Sequence, residues 1–305
     1  MAFLLRRLGW MAFTLWVVFT ISFFLMRALP GGPFSSERKL PEAIERNIRE
    51  HYKLDDPLVV QYLRQLGYAL QFDFGYSYKL ADFRVGEIIM QGLPISCTIG
   101  ILALAVALGL GLATGIFAAV RRGTFLDYVF RAIATLGIAV PNFVIAGLSI
   151  ILAVFVVRIF PAGGWGSLSQ AMLPALCLGL PYAAYIARLT RSGMLDVLGQ
   201  DYIRTAKAKG LTPAQIIFKH AIWGALLPVV TFLGPATAGI LTGSIVLETI
   251  FAIPGIGMHL INAVTQRDYT LAMGLIMVDT AILCGLNLLI DLSYVWLDPR
   301  VKVAE

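Results

Sequence analysis

The chain has 305 residues, of which 58% are hydrophobic and only 14% charged, and its mean hydropathy is +0.80. A soluble domain carries about 25% charged residues, so this composition excludes a water-soluble globular protein and indicates an integral membrane protein. The formal net charge of +6 is what positively charged cytoplasmic loops produce; it does not point to nucleic acid, and no nucleic-acid partner is expected.

Arg6 and Arg7 precede an uncharged run from Leu8 to Met26, close to the ~20 residues that cross the hydrocarbon. A signal peptide has a similar charged start, but its apolar region is about 7–15 residues and ends at a small-residue cleavage site. No such site follows Met26. Residues 1–29 therefore read as an N-terminal tail and a retained first span, with the N-terminus inside. Residues 30–92 change in composition, with acidic and basic residues mixed from Glu37 to Asp56. Pro41 can open a helix with Ile44 and Ile48 on one face. Asp56-Pro57 can open a second, with Val59, Leu63, Leu66 and Leu70 at helical spacing. This stretch reads as a small extracytoplasmic helical insert, broken at Gln71-Phe72-Asp73-Phe74-Gly75.

Residues 93–305 read as a five-span core. No charge appears from Ile88 to Val120, and Arg121-Arg122-Gly123 ends that run on the inside. Ala132 to Val157 is the third span, with Pro141 expected to kink or unwind it. Trp165 in the following turn suits the membrane interface. The fourth span, about Ala171 to Ala187, contains Pro174 and Pro181, which neighbouring helices can accommodate. Residues 188–228 then carry Arg188, Arg191, Arg204, Lys207, Lys209 and Lys219 against only Asp196 and Asp201. Such an excess between two spans marks a cytoplasmic loop. Asp201 is a candidate N-cap for the run Tyr202 to Lys209, and Gly210 suits the left-handed position that ends it. Thr212, Pro213 and Gln215 form a capping-box pattern for a second helix. The result is a compact helix–corner–helix knob at the membrane face.

The fifth span, about Leu226 to Leu247, is rich in Gly and Ala, which permits close helix packing. Thr249 to Gln266 is uncharged and long enough to cross, but Pro254-Gly255-Ile256-Gly257 interrupts it. It reads as an external or partly re-entrant segment. The sixth span is about Tyr269 to Leu297. Steps of four place Asp279, Leu283, Asn287 and Asp291 on one stripe. A carboxylate at membrane depth is costly and rarely faces lipid, so this stripe should face protein or a water-filled path. Asp279 and Asn287 are candidate substrate-path residues. A structural contact is the competing reading, and the stronger one for Asp291.

Several of these residues carry a family resemblance. Asp201-Tyr202-Ile203-Arg204-Thr205-Ala206-Lys207-Ala208-Lys209-Gly210-Leu211, followed by His220-Ala221 and Leu226-Leu227-Pro228, resembles the coupling loop of ABC-importer permease subunits. It is most similar to the dipeptide/oligopeptide branch. The general importer loop has Glu-Ala-Ala, three residues, Gly, then nine residues before Ile-x-Leu-Pro. Counting back from Gly210 puts Arg204 and Thr205 where Glu and the first Ala would stand, while Ala206 matches the second Ala. The later Leu-Pro is a second departure, and both favour the peptide branch. Glu248 to Gly257, Arg267-Asp268-Tyr269 and Asp298-Pro299-Arg300 resemble the same branch.

The resemblance implies an all-α polytopic membrane protein. Its fold would be a type I ABC-importer transmembrane domain with six spans, both termini cytoplasmic, in the bacterial inner membrane. Its implied function is the membrane-spanning permease subunit of an ATP-driven importer of short peptides. Asp201, Tyr202, Arg204, Thr205, Ala206, Lys207, Lys209 and Gly210 would form the ATPase-coupling loop, with Ala206 on the face entering the partner's cleft. The implied partners are a second, non-identical homologous permease subunit, two ABC ATPase subunits, an extracytoplasmic peptide-binding protein and the lipid bilayer. ATP and Mg would sit on the ATPases, with no cofactor on this chain.

The residues themselves offer no competing chemistry. There is no phosphate-binding Gly-x-x-x-x-Gly-Lys-Ser/Thr loop, no His-Glu-x-x-His and no Gly-x-Ser-x-Gly. His51, His220 and His259 are scattered. Cys97, Cys177 and Cys284 each lie in an apolar run and read as small buried hydrophobes. No catalytic or metal-ligating residue is assigned. The alternatives are a permease for a nickel chelate or glutathione, and a self-sufficient secondary transporter, which would need coupling-ion residues and often an internal repeat. A membrane enzyme is disfavoured by the absent motifs.

Overall fold

The structure, a computed structural model, describes residues 2–28, 53, 55–80, 83–241 and 244–297. The expected helix opened by Pro41, the Asp298-Pro299-Arg300 motif and the side chain of Asp291 lie outside the described residues. In chain order the helices are α1 (Ala2–Ala28), α2 (Leu58–Leu70), α3 (Val85–Val120), α4 (Phe125–Ala139) and α5 (Asn142–Ser149), the last widening into π turns over Ile150–Val156. Then follow α6 (Leu168–Leu198), α7 (Asp201–Ala208), α8 (Pro213–Gln215), π turns over Ile216–Ala221, and α9 (Ile222–Ala225). The chain continues with α10 (Leu227–Leu241), α11 (Ile245–Ile250), α12 (Ile256–Thr265) and α13 (Tyr269–Leu297).

Five stretches are long and apolar enough to cross a membrane: Leu4–Ala28, Val85–Val120, Leu168–Leu198, Leu227–Ile250 and Tyr269–Ile290. A sixth crossing is reached if α4 and α5 count as one, and they are bent by 110°. The expected kink at Pro141 is thus a sharp break. Its cause is local, because the proline ring disfavours helical geometry in the residue before it. Val140 accordingly sits at φ −83°, ψ 126°. The segment 249–266 is not one helix; α12 has 10 residues, about 15 Å of helix, half a hydrocarbon core.

The described chain divides into two compact units, residues 1–95 with 254–305, and residues 96–253. In the first, Phe19 and Phe23 of α1 pack with Val85, Ile88, Leu271 and Leu275. A Cβ on Gly274 would stand 2.5 Å from Val85 Cγ1, so the start of α13 approaches this core without a side chain. Asp268, 1% exposed, anchors the turn after α2. Its carboxylate accepts from the backbone N–H groups of Tyr78 (3.1 Å), Lys79 (3.2 Å) and Leu271 (3.1 Å), and from the Ser77 and Thr270 hydroxyls. Such multiple donation to a buried carboxylate offsets its desolvation. The expected stripe on α2 divides: Leu66, with Tyr62 and Ala69, packs against this core, whereas Val59, Leu63 and Leu70 are exposed.

In the second unit α6 is central. Added Cβ atoms on Gly111 and Gly115 would meet Ile186 at 2.7 Å and the Ala187 carbonyl at 2.6 Å. Small residues therefore let α3 lie close along α6, as membrane packing requires. Asp127, near the start of α4, is 1% exposed and accepts a bidentate pair from Arg191 on α6, Nε at 2.7 Å and Nη2 at 2.8 Å. The Gly123 N–H also donates to it at 3.0 Å. Ser96 donates to the buried Glu248 at 2.7 Å.

Candidate coupling loop

The knob begins later than its charges suggested. Arg188 and Arg191 belong to α6, which runs unbroken to Leu198, and Arg191 is held by Asp127. The excursion from the helix is a turn at Gly199–Gln200. Gln200, with extended φ −76°, ψ 153°, holds the N-cap position expected for Asp201. Asp201 is the first helical residue, where its charge complements the helix N-terminus, and it pairs with Arg204 at 3.2 Å. Both side chains are largely in solvent, 92% and 77% exposed, so the pair adds little stability.

The corner follows the expected chemistry. Gly210 has φ +78°, a conformation L side chains avoid. Its N–H donates to the Lys207 carbonyl at 3.0 Å, and the Leu211 N–H donates to the Ala206 carbonyl at 3.3 Å. These two bonds are the Schellman closure of a helix end. Beyond it, the Gln215 N–H donates to Thr212 Oγ1 (3.3 Å) and the Thr212 N–H to Gln215 Oε1 (2.9 Å). The capping box is therefore complete, with Pro213 at the first helical position.

The direction of Ala206 differs from expectation. Ala206, 6% exposed, and Ile203 face inward and pack with Met194 of α6, Ile216, Ala221 and Ala225. Three residues apart on one helix, they form the seam that seats α7 on its own chain. Gly193 of α6 lets α9 close in, since a Cβ there would stand 2.4 Å from the Ala225 carbonyl oxygen. The outward face consists of Tyr202, Arg204, Thr205, Lys207 and Lys209, all exposed. Phe218 and Trp223, 64% and 73% exposed, were not singled out from the sequence, where both sit in apolar surroundings. Their signal was position, each being a large ring within the basic stretch.

The candidate path residues lie in the other unit. Asp279 is half-buried on α13, and Leu283 and Asn287 on the same stripe are exposed. The described residues contain no group of three or more His, Cys, Asp or Glu side chains that could hold a metal ion.

Residues 111–303 match the model of the binding-protein-dependent transport system inner membrane component family. The dipeptide transport system permease protein of Bacillus subtilis is 46% identical over 301 residues, 99% of this chain and 98% of that protein. The chain belongs to this family. The oligopeptide transport system permease protein of Escherichia coli K12 is 40% identical over 302 residues, covering 98% and 99% of the two chains. The dipeptide permease protein of Lactococcus lactis is 37% identical over 301 residues, 99% of each. A solved MetNI methionine ABC transporter in inward-facing conformations aligns at 20% identity with a TM-score of 0.44, over 68% of this chain and 92% of that one. As an inner membrane component of this family, the chain is a multi-pass, all-α permease subunit of an ABC importer, and the resemblance read from its coupling-loop residues is borne out.

Proposed function

We propose that this permease component carries short peptides inward across the bacterial inner membrane, powered by separate ATPase subunits. The observation that supports the reading most is near-full-length similarity to dipeptide and oligopeptide permease proteins, joined to a capped, cationic knob with a buried apolar seat. The knob's outward residues Tyr202, Arg204, Thr205, Lys207 and Lys209 meet an ATPase cleft, while Asp201 and Gly210 set the helix start and the corner. Ala206 serves by seating the knob on α6 and α9. Two ATPases bind ATP and Mg; this chain binds neither. A second, non-identical permease subunit completes the path, and an extracytoplasmic binding protein delivers peptide. With six crossings both termini share one side, and the positive excess of the loops assigns that side to the cytoplasm. ATP-driven closure shifts a two-state equilibrium, which requires the ATPases to contact the knob differently in the two states. Purification of the tagged chain from native membranes tests this: ATPase subunits and a second permease should accompany it, and a chain that comes away alone would refute it.

Asp279, with Asn287, lines the path. Asp279→Asn is expected to lower peptide uptake while assembly and basal ATP hydrolysis of the complex persist. A fall in assembled complex would instead assign Asp279 a structural contact, since an unpaired buried partner is costly.

A further inference from the structure

Helix α2 is apolar on its outer side as well as on the side that meets the protein. Tyr62, Leu66 and Ala69 pack against the protein core beside the buried Gln61, whereas Val59, Leu63 and Leu70 are 68%, 60% and 74% exposed. Spacings of four and seven put these three on one stripe. Its neighbour is α1. The Tyr62 hydroxyl shares a hydrogen bond with Thr20 Oγ1 at 2.8 Å. The Tyr62 ring lies 5.5 Å from that of Phe19 and 5.3 Å from that of Phe23. Arg27 donates to Gln61 Oε1 at 3.1 and 3.3 Å. Thr20 precedes the end of α1 at Ala28 by two turns, about 12 Å of helix. Tyr62 is therefore held at the depth of a membrane-spanning segment. Beside it, α1 exposes Ile21, Phe24 and Leu25, so the apolar surface of the span continues onto α2.

From this we infer that α2 is a lipid-bound interfacial helix whose Val59–Leu63–Leu70 stripe lies against acyl chains of the leaflet at the C-terminal end of α1. A helix solvated on its outer side would show its polar face there. An interfacial helix buries its apolar face about 5–10 Å into the headgroup–acyl boundary. Tyr68, on another flank, suits that boundary as an amphipathic ring near headgroups, and Arg64 beside it is ion-paired with Asp56. The insert is thus anchored from two sides, by the Asp268 carboxylate on the protein side and by lipid on the other. The inference rests on α1 being a membrane span, as the proposed function requires.

The test is photocrosslinking in native membranes, with the whole importer assembled. The benzophenone amino acid p-benzoylphenylalanine replaces Val59, Leu63, Lys53 or, as a reference inside the first span, Phe13, and intact mass spectrometry reads the products. Lipid-sized adducts are expected at Phe13, Val59 and Leu63, and none at Lys53. Crosslinks from Val59 and Leu63 to another polypeptide would overturn the inference, and so would unreacted probe at both positions. A lipid adduct at Phe13 with none at Leu63 would remove α2 from the bilayer and leave the span intact. Loss of the adduct at Phe13 would instead break the membrane placement of α1. Val59 and Leu63 point away from the core, so both variants should fold, and each checks the other.

Discussion

Gly210 joins backbone conformation to coupling. At φ +78° nothing crowds its missing Cβ, so the cost of a side chain is conformational, about 1–2 kcal/mol. Gly210→Val is expected to loosen the corner and lower both ATPase retention and uptake, and Gly210→Asn, which tolerates this geometry, to keep most of both. Equal uptake by all three proteins would show that the corner is not needed. Asp127 is a second sensitive position. Removing one partner of a fully buried ion pair costs about 3–5 kcal/mol because the other charge is stranded; the cost here is smaller, because Arg191 keeps 19% of its side chain in solvent. Asp127→Ala should lower the thermal midpoint of the purified complex markedly, and adding Arg191→Met should restore much of the loss. A midpoint unchanged by Asp127→Ala would contradict the pair's role. Gly210 was legible in the sequence because its signal is local, a glycine between two capping patterns. The burial of Ala206 was not, because its neighbours Met194 and Ala225 come from helices before and after it, and local spacing cannot rank two faces of an eight-residue helix.

At the scale of elements, apolar runs located the spans and breakers located their ends. What misled was charge. Arg188 and Arg191 look like loop residues, yet α6 carries them past the apolar run, and a distant Asp127 makes Arg191 tenable on a packed helix. The hydrophobic stripe on α2 was equally ambiguous, since Leu66 meets the core while Val59, Leu63 and Leu70 do not, and spacing alone cannot divide them. Pro141 was read correctly as a breaker, while the 110° turn depends on how α4 and α5 each find packing. The proposed orientation gives a direct expectation. In intact cells Trp165→Cys should react with a membrane-impermeant maleimide, and Lys207→Cys only after permeabilisation. Reaction of Lys207→Cys from outside would invert the topology.

For the whole molecule, two compact units carry different parts of the proposed work: the knob and its ion pair in one, Asp279 and the α2 insert in the other. The proposed energy source is ATP bound by separate subunits. The contrast with a self-sufficient transporter is therefore energetic, and transport itself decides it. The complex, purified with its permease partner and ATPases, is reconstituted into vesicles with the binding protein and labelled dipeptide outside. Uptake should require ATP and Mg inside the vesicles, be indifferent to an imposed proton or sodium gradient, and fall with Gly210→Val. Peptide accumulation by this chain without the ATPases, driven by an ion gradient, would contradict the account.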